Sequence, residues 1–166
     1  MISDDKDVEV SWSNSLNQVH PVEQILNRNQ PWLTSTSYIG DAFKIKVSRC
    51  SVYLAGIRIK NTVNGEMKNR ATRKFRVIGS QDSSSRSPWV TLLSEEFENP
   101  LLEGSPAPEL QTFYFTEVHQ VKYLTFQLES FWGNLGGGLD HFEVVSPSGA
   151  FLVVVQDQAT YNYIHI

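Results

Sequence analysis

The chain is predicted to fold as an all-β sandwich, and three observations predict it. Short runs of alternating apolar and polar residues recur along most of its 166 residues. Turn-forming Gly, Pro, Asn, Asp and Ser punctuate those runs every eight to fifteen residues or about that. Helical periodicity is almost absent. About eight or nine short strands of this kind make an antiparallel sandwich or barrel. With no internal repeat, no low-complexity tract and one size-appropriate core, residues 8–166 read as a single domain behind a flexible segment 1–7.

The elements follow in order. Residues 8–12 alternate around Val8, Val10 and Trp12 and form a first strand. Residues 21–26 form one helical turn, with Pro21 at its start. Residues 27–31 are turn chemistry, and Trp32 opens an aromatic-bearing loop. Residues 41–47 and 51–61 alternate cleanly, through Ile45 and Val47 and then Leu54, Ile57 and Ile59. Residues 62–71 are a polar loop with Asn64-Gly65 at its turn. Residues 72–80 place Phe75, Val77 and Gly79 on one face and Lys74, Arg76 and Ile78 on the other. Residues 81–88 connect to a return strand at 89–93. Residues 95–110 are acidic and rich in proline, a long surface excursion. A strand at 111–116 and a short turn at 117–120 lead to strands 121–129 and 139–145. The loop between these two displays Phe131-Trp132 and the run Gly136-Gly137-Gly138. Residues 146–166 add a C-terminal extension strand, its apolar run at 150–156, with Tyr161, Tyr163 and Ile164 closing the chain. Trp12 and Trp89 fall in strand registers and are expected in the core.

The totals exclude several functions. A net charge of -4 argues against a nucleic-acid backbone binder, which needs a concentrated basic surface. The single Cys50 permits no intrachain disulfide and reads as a small buried residue. No Asn-x-Ser/Thr acceptor occurs, residues 1–7 are acidic and polar rather than a signal peptide, and no apolar run reaches transmembrane length. The expectation is a soluble protein, intracellular if the chain is complete and extracellular if it is a module excised from a longer one. The four histidines, His20, His119, His141 and His165, share no metal-ligand spacing. There is no G-x-S-x-G and no phosphate-cradling glycine loop before a helix. The chain is expected not to be an enzyme.

The order of landmarks resembles the discoidin family, also called coagulation factor V/VIII type C domains. Pro21-Val22-Glu23-Gln24-Ile25-Leu26-Asn27-Arg28-Asn29 followed by Trp32 is similar to its "P-x-x-L-I-D-G-N … W" segment. Leu54-Ala55-Gly56-Ile57-Arg58-Ile59 is similar to "V-x-x-I-R-I". Phe75-Arg76-Val77-Ile78-Gly79-Ser80-Gln81-Asp82, continuing to Trp89, is similar to "F-x-V-x-x-S-x-D-G-x-x-W". Val121-Lys122-Tyr123-Leu124 is similar to "A-R-Y-V", and residues 139–145 are similar to the closing "L-x-E-x-E-V". The resemblance implies a galactose-binding-like jelly roll of about eight antiparallel strands. It also implies a non-catalytic, lectin-like module of the kind used in carbohydrate binding and cell adhesion, holding a glycan in loops at one end of the sandwich. The alternatives it implies are a protein-interaction or adaptor module, and binding of an anionic phospholipid membrane by the same loops.

The candidate contacts follow from side-chain chemistry. A flat ring stacks on the apolar face of a pyranose while amides, Arg or His bond its hydroxyls. Phe131, Trp132 and Asn134 supply this in one loop, and Trp32, with His20 and Asp41 nearby, in the first loops. The basic concentration at residues 68–76 contributes Arg70 and Arg73, whose planar guanidinium suits vicinal hydroxyls or an anion. Carbohydrate-binding relatives hold a structural calcium, for which Asn27, Asn29 and Glu143 stand at the family's positions. Asn27 and His141 replace two of its carboxylates, and calcium wants several hard oxygens, so no metal or other cofactor is expected.

Overall fold

The computed structural model describes residues 10–13, 32–33, 42–46, 52–62, 70–81, 89–133, 136–148, 151–156 and 161–165. They contain eleven strand segments: β1 (Val10–Ser13), β2 (Trp32–Leu33), β3 (Ala42–Lys46), β4 (Val52–Asn61), β5 (Lys74–Ser80), β6 (Val90–Glu96), β7 (Leu110–Val121), β8 (Tyr123–Leu128), β9 (Gly138–Val145), β10 (Phe151–Gln156) and β11 (Tyr161–His165). Among the described residues there is no helix. The segment 1–7, the expected turn at 21–26 and Cys50 lie outside them, as does the side chain of Trp12.

The strands form two sheets, of order β1-β3-β8-β5-β6 and β11-β10-β9-β4-β7, with β2 added to β9. Every pairing is antiparallel. Facing side chains from both sheets fill the space between, as the alternation requires. β5 shows it plainly: Phe75, Val77 and Gly79 are buried, while Lys74 is exposed. Phe75 sits at the centre of the core. Its ring centroid lies 5.0 Å from Phe97, 5.3 Å from Phe113 and 5.3 Å from Phe126. Each such pair contributes about 0.5–1.5 kcal/mol beyond area burial.

Strict alternation fails in β4, and the failure is built in. Leu54 and Ile57 are three apart, yet both are fully buried. The register of β4 against β7 slips between Leu54 and Gly56, which turns both side chains inward. Gly56 is needed there, because a Cβ would meet the Phe113 carbonyl oxygen at 2.3 Å.

Four expectations change. The predicted turn at 117–120 is continuous strand, and the chain crosses between sheets at Lys122, whose N–H donates to Ser80 O at 2.9 Å. Residues 117–120 hold no Gly or Pro to break the strand. The C-terminal extension is two strands, β10 and β11, paired from Leu152↔His165 to Gln156↔Tyr161 and joined to β9 through Phe151↔Val145. The Tyr161/Tyr163 alternation supplies the β propensity for the second. Trp32 lies in a strand rather than a loop. Trp89 is half-buried rather than core, with the Lys44 ammonium 4.7 Å from its ring centroid.

Candidate functional site

Strand register decides which loops meet. Asn61 pairs with Leu139, Lys60 with Leu110, Lys74 with Glu96, and Phe75 with Leu128. The end of β4, the start of β5, the end of β6, the start of β7, the end of β8 and the start of β9 therefore lie at one end of the sandwich. The connection 97–109 and the described ends of the connections 62–73 and 129–137 meet there.

Two buried polar side chains tie that end together. Asn61 donates from Nδ2 to Thr72 O at 2.9 Å, and its Oδ1 accepts from Thr72 N at 3.0 Å and Thr62 N at 2.9 Å. Thr72 donates from Oγ1 to Gly138 O at 2.8 Å and accepts from Gly138 N at 3.1 Å. Both residues are buried, so these bonds replace water for backbone groups that strand pairing leaves open. Sequence reasoning missed both. The available signal was a polar residue at the end of an otherwise apolar-alternating strand.

This knot holds the aromatic loop. Phe131 forms a backbone bridge with Thr72, and Trp132 N–H donates to Ala71 O at 2.8 Å. The indole Nε1–H of Trp132 donates to Phe97 O at 2.9 Å. The Arg73 guanidinium lies over the same ring, 4.4 Å from its centroid, and Arg73 Nε bonds Glu96 Oε1 at 2.7 Å. Phe131, Trp132 and Arg73 are thus brought together, each partly exposed. The ring is held by a hydrogen bond at its edge and a cation over its face.

Two candidate residues are not presented as expected. Trp32 is 0% exposed: β2 pairs with β9 at Leu139 and Gly138, and the ring packs edge-on to Phe126 at 6.2 Å. It is core, and no ligand reaches its face. Arg70 is only 7% exposed, and burial pushes its guanidinium pKa down. It is drawn into the loop base rather than offered at the surface. His20, Asp41 and Asn134 lie outside the described residues.

The basic stretch is also quieter than its composition suggests. Lys74 Nζ lies 3.8 Å from Glu96, and Arg76 Nε 3.4 Å from Glu129. Arg76 also donates to Gln127 Oε1 at 2.7 Å. With Arg73 on Glu96, the charges from residue 73 to residue 76 are answered within the fold.

Glu143, the calcium candidate on β9, is buried with its Oε1 2.5 Å from His141 Nε2 and its Oε2 4.0 Å from the Arg58 guanidinium. A ring nitrogen and a guanidinium beside one carboxylate do not fit a dication that needs several hard oxygens. Among the described residues no group of three or more His, Cys, Asp or Glu could hold a metal, and Asn27 and Asn29 lie outside them. On β9 next to His141, Asp140 has its carboxyl pKa pushed up by burial, against the opposing pull of a Thr62 hydrogen bond and of Lys60.

A further feature is a half-open cleft of about 290 Å³ formed by the 97–109 connection with Asn61 and Gln111. Phe97, Pro100, Pro106 and Pro108 give it apolar walls, and Asn99 and Gln111 add amides. Phe97 links it to the aromatic loop, since its carbonyl holds the Trp132 indole.

Comparison with known proteins places the fold. No protein-family model and no curated protein sequence matches the chain. Solved structures do. Chitosan-binding module 2 of a chitosanase/glucanase from Paenibacillus sp. IK-5, in complex with chitotriose, is similar with a TM-score of 0.63 at 13% identity, covering 83% of this chain and 95% of that one. The family 32 carbohydrate-binding module of NanJ from C. perfringens, in complex with galactose, has a TM-score of 0.64 at 12% identity, covering 83% and 93%. Reduced XRCC1 bound to the DNA pol beta catalytic domain has a TM-score of 0.64 at 12% identity, covering 83% and 95%. The fold is the galactose-binding-like, discoidin-type jelly-roll sandwich.

Proposed function

We propose that the chain is a non-catalytic carbohydrate-binding module that takes a glycan at the loop end of its sandwich. The observation that carries this reading is the cleft of about 290 Å³ at that end, joined through Phe97 to the Trp132 ring. An apolar wall, a few amides and an aromatic face suit a pyranose, with one side of CH groups and a rim of hydroxyls. Two neighbours in fold, a chitosan-binding module and a family 32 module, hold saccharides. Phe131, Trp132 and Arg73 are the contacts carried forward from the sequence, and Gln111 and Asn99 are added from the structure. A glycan array followed by calorimetry tests the reading. Trp132→Ala is expected to weaken the best saccharide at least tenfold or about that, by loss of one stacked ring. No saccharide bound at millimolar concentration, or binding indifferent to Trp132 and Gln111, would sink it.

A second reading has an observation of its own. On the outer face of β4 and β7, Tyr53 is 60% exposed, Tyr114 64% and Val118 48%. Exposed rings at a sheet edge suit a protein partner, and XRCC1, which shares the fold, was solved with a protein bound. In this reading the module is an adaptor. Affinity capture of one stoichiometric protein, lost in Tyr114→Lys, would favour it over the glycan.

A further inference from the structure

We propose that β7 is a self-association edge, along which a second copy of this chain pairs antiparallel about Tyr114 and joins two six-stranded sheets into one. The inference stands apart from the glycan reading and gives the exposed Tyr114 a different neighbour from the adaptor reading. β7 is the longest described strand, 12 residues, and the last in its sheet, with β4 on one side and no described strand on the other. Its register against β4 covers residues 110–114 and 119–121 and skips 115–118. Among the described residues, no backbone bond outside that pairing reaches residues 110–119. Beyond them the edge is closed, because the Gln81 amide donates to Gln120 O and Lys122 N–H to Ser80 O. A strand edge of this length presents a row of unpaired N–H and C=O groups that a further strand satisfies. Edges that stay single are blunted by charge or proline. β6, an edge of the other sheet, carries Glu95 and Glu96. Residues 110–116 of β7 include no charged residue, no Pro and no Gly.

The sequence of this edge selects its own copy. Residues 110–118 read Leu-Gln-Thr-Phe-Tyr-Phe-Thr-Glu-Val, a run whose residue types mirror each other about Tyr114. Antiparallel pairing about that residue sets Tyr114 against Tyr114, Thr112 against Thr116, and Leu110 against Val118. These alternate positions face away from the core, and Tyr114, Thr116 and Val118 are exposed. Aromatic pairs and Thr–Thr pairs are cross-strand contacts that stabilise antiparallel ladders. On the other row Gln111 meets Glu117, an amide for a carboxylate, and Glu109 meets His119, a complement in charge. Phe113 and Phe115 on that row stay with the core of their own chain. Every contact occurs twice, as an isologous two-fold interface requires. Residues 115–118, which β4 leaves without a partner, gain residues 110–113 of the second copy. An unrelated extended peptide would satisfy the same backbone groups with no need for this symmetry. β7 starts at the end that carries the Trp132 loop. Antiparallel pairing therefore turns the two loops to opposite ends of the dimer, a geometry that bridges two ligands rather than gripping one.

Sedimentation equilibrium on the full chain tests this, from about 1 µM to about 1 mM, the range in which weak interfaces associate. The mean mass is expected to rise from one chain to two as concentration increases. Tyr114→Lys sets like charges against each other on the two-fold axis and is expected to weaken the dimer about tenfold or more. Tyr114→Glu is expected to do the same. Because Tyr114 is exposed, both variants are expected to keep the parent's thermal midpoint, which shows that they are folded. Mixing the two variants then restores the dimer, since the axis holds a cation against an anion. A pairing that brings residue 114 beside residue 114 gives that rescue, and loss of fold in either variant would not. A single-chain mass at every concentration overturns the proposal. So does a dimer indifferent to Tyr114→Lys, which another surface must hold. A mixture that stays monomeric overturns the register, and with it the proposal. Open-ended assemblies overturn it too, because a two-fold edge closes at two chains. None of these measurements involves a saccharide, so the glycan reading stands or falls separately.

Discussion

Trp32 and Trp132 read alike in sequence, each a large ring beside turn residues, and they end in opposite situations. Trp32 is fully buried on β2, against the start of β9. Trp132 is half-buried at the loop end, its indole N–H on Phe97 O and one face under Arg73. The difference lies in what runs alongside each. Trp32 docks because Gly138 leaves room: a Cβ there would come within 2.2 Å of the Trp32 carbonyl oxygen. Among the described residues no strand reaches Trp132 in that way, and its ring is held by a hydrogen bond and a cation at the rim instead. A glycine in a partner strand, distant in the chain, decides whether a tryptophan is core or surface.

The largest effect that would break this comparison is on Trp32. Trp32→Ala is expected to destabilise the fold by about 4 kcal/mol, as removal of a fully buried ring does. The check is the urea midpoint. If Trp32→Ala instead leaves stability intact and abolishes saccharide binding, the ring belongs to the site and the assignment to the core is wrong.

Next in size is the knot that carries the Trp132 loop. Asn61→Leu leaves the N–H groups of Thr62 and Thr72 and the Thr72 carbonyl without their partner. A loss of about 3 kcal/mol is expected from those buried groups. Hydrogen exchange should show the 129–137 connection opening before the sheets do. Uniform loss of protection across β4, β5 and β8 would mean that Asn61 serves the core and not the loops.

Trp132→Phe isolates the clamp. It keeps a ring for Arg73 and for a sugar but removes the bond to Phe97 O. About 1 kcal/mol of stability is expected to go, the worth of one hydrogen bond. A saccharide should bind more weakly through a less fixed ring, and the falling affinity should track greater mobility of residues 97–109, read by relaxation of backbone amides. Unchanged affinity with the bond gone would show that the clamp plays no part in preorganising the site.

Much of the fold was legible because alternation reports directly on a half-buried strand: β3, β4, β5 and β9 lie within about a residue or two of where the pattern puts them. Trp32 was misplaced because two residues are too few to show a period. Arg70 was misplaced because composition records a charge and not its depth. Of the candidate site, the aromatic loop was legible from Phe131-Trp132, but its supports were not. Asn61 and Thr72 bond backbone groups 11 and 66 residues away, which no local pattern encodes. The cleft was hidden for the same reason: a proline-rich acidic run reads as solvated surface until Gln111 and Phe97 are seen to close one side of it.

The smallest expected effect concerns Asp140, two residues past the glycine that admits Trp32 and Leu33. Its pKa is raised by burial, with the Thr62 bond and Lys60 opposing. A carboxyl whose folded-state pKa lies above its unfolded value contributes stability that is fully present below the unfolded pKa. That contribution is lost as pH rises through the folded one. At neutral pH the buried charge is therefore a burden that acid relieves. Asp140→Asn keeps the size and a group for Thr62 while removing the charge. The variant is expected to melt higher than the parent at about pH 7 and to converge with it towards about pH 3, where both side chains are neutral. Thermal midpoints across that range read the difference. A variant that melts lower than the parent at neutral pH would mean that Thr62 and Lys60 outweigh burial. The start of β9, which seats Trp32, would then be held in part by a charge rather than in spite of one.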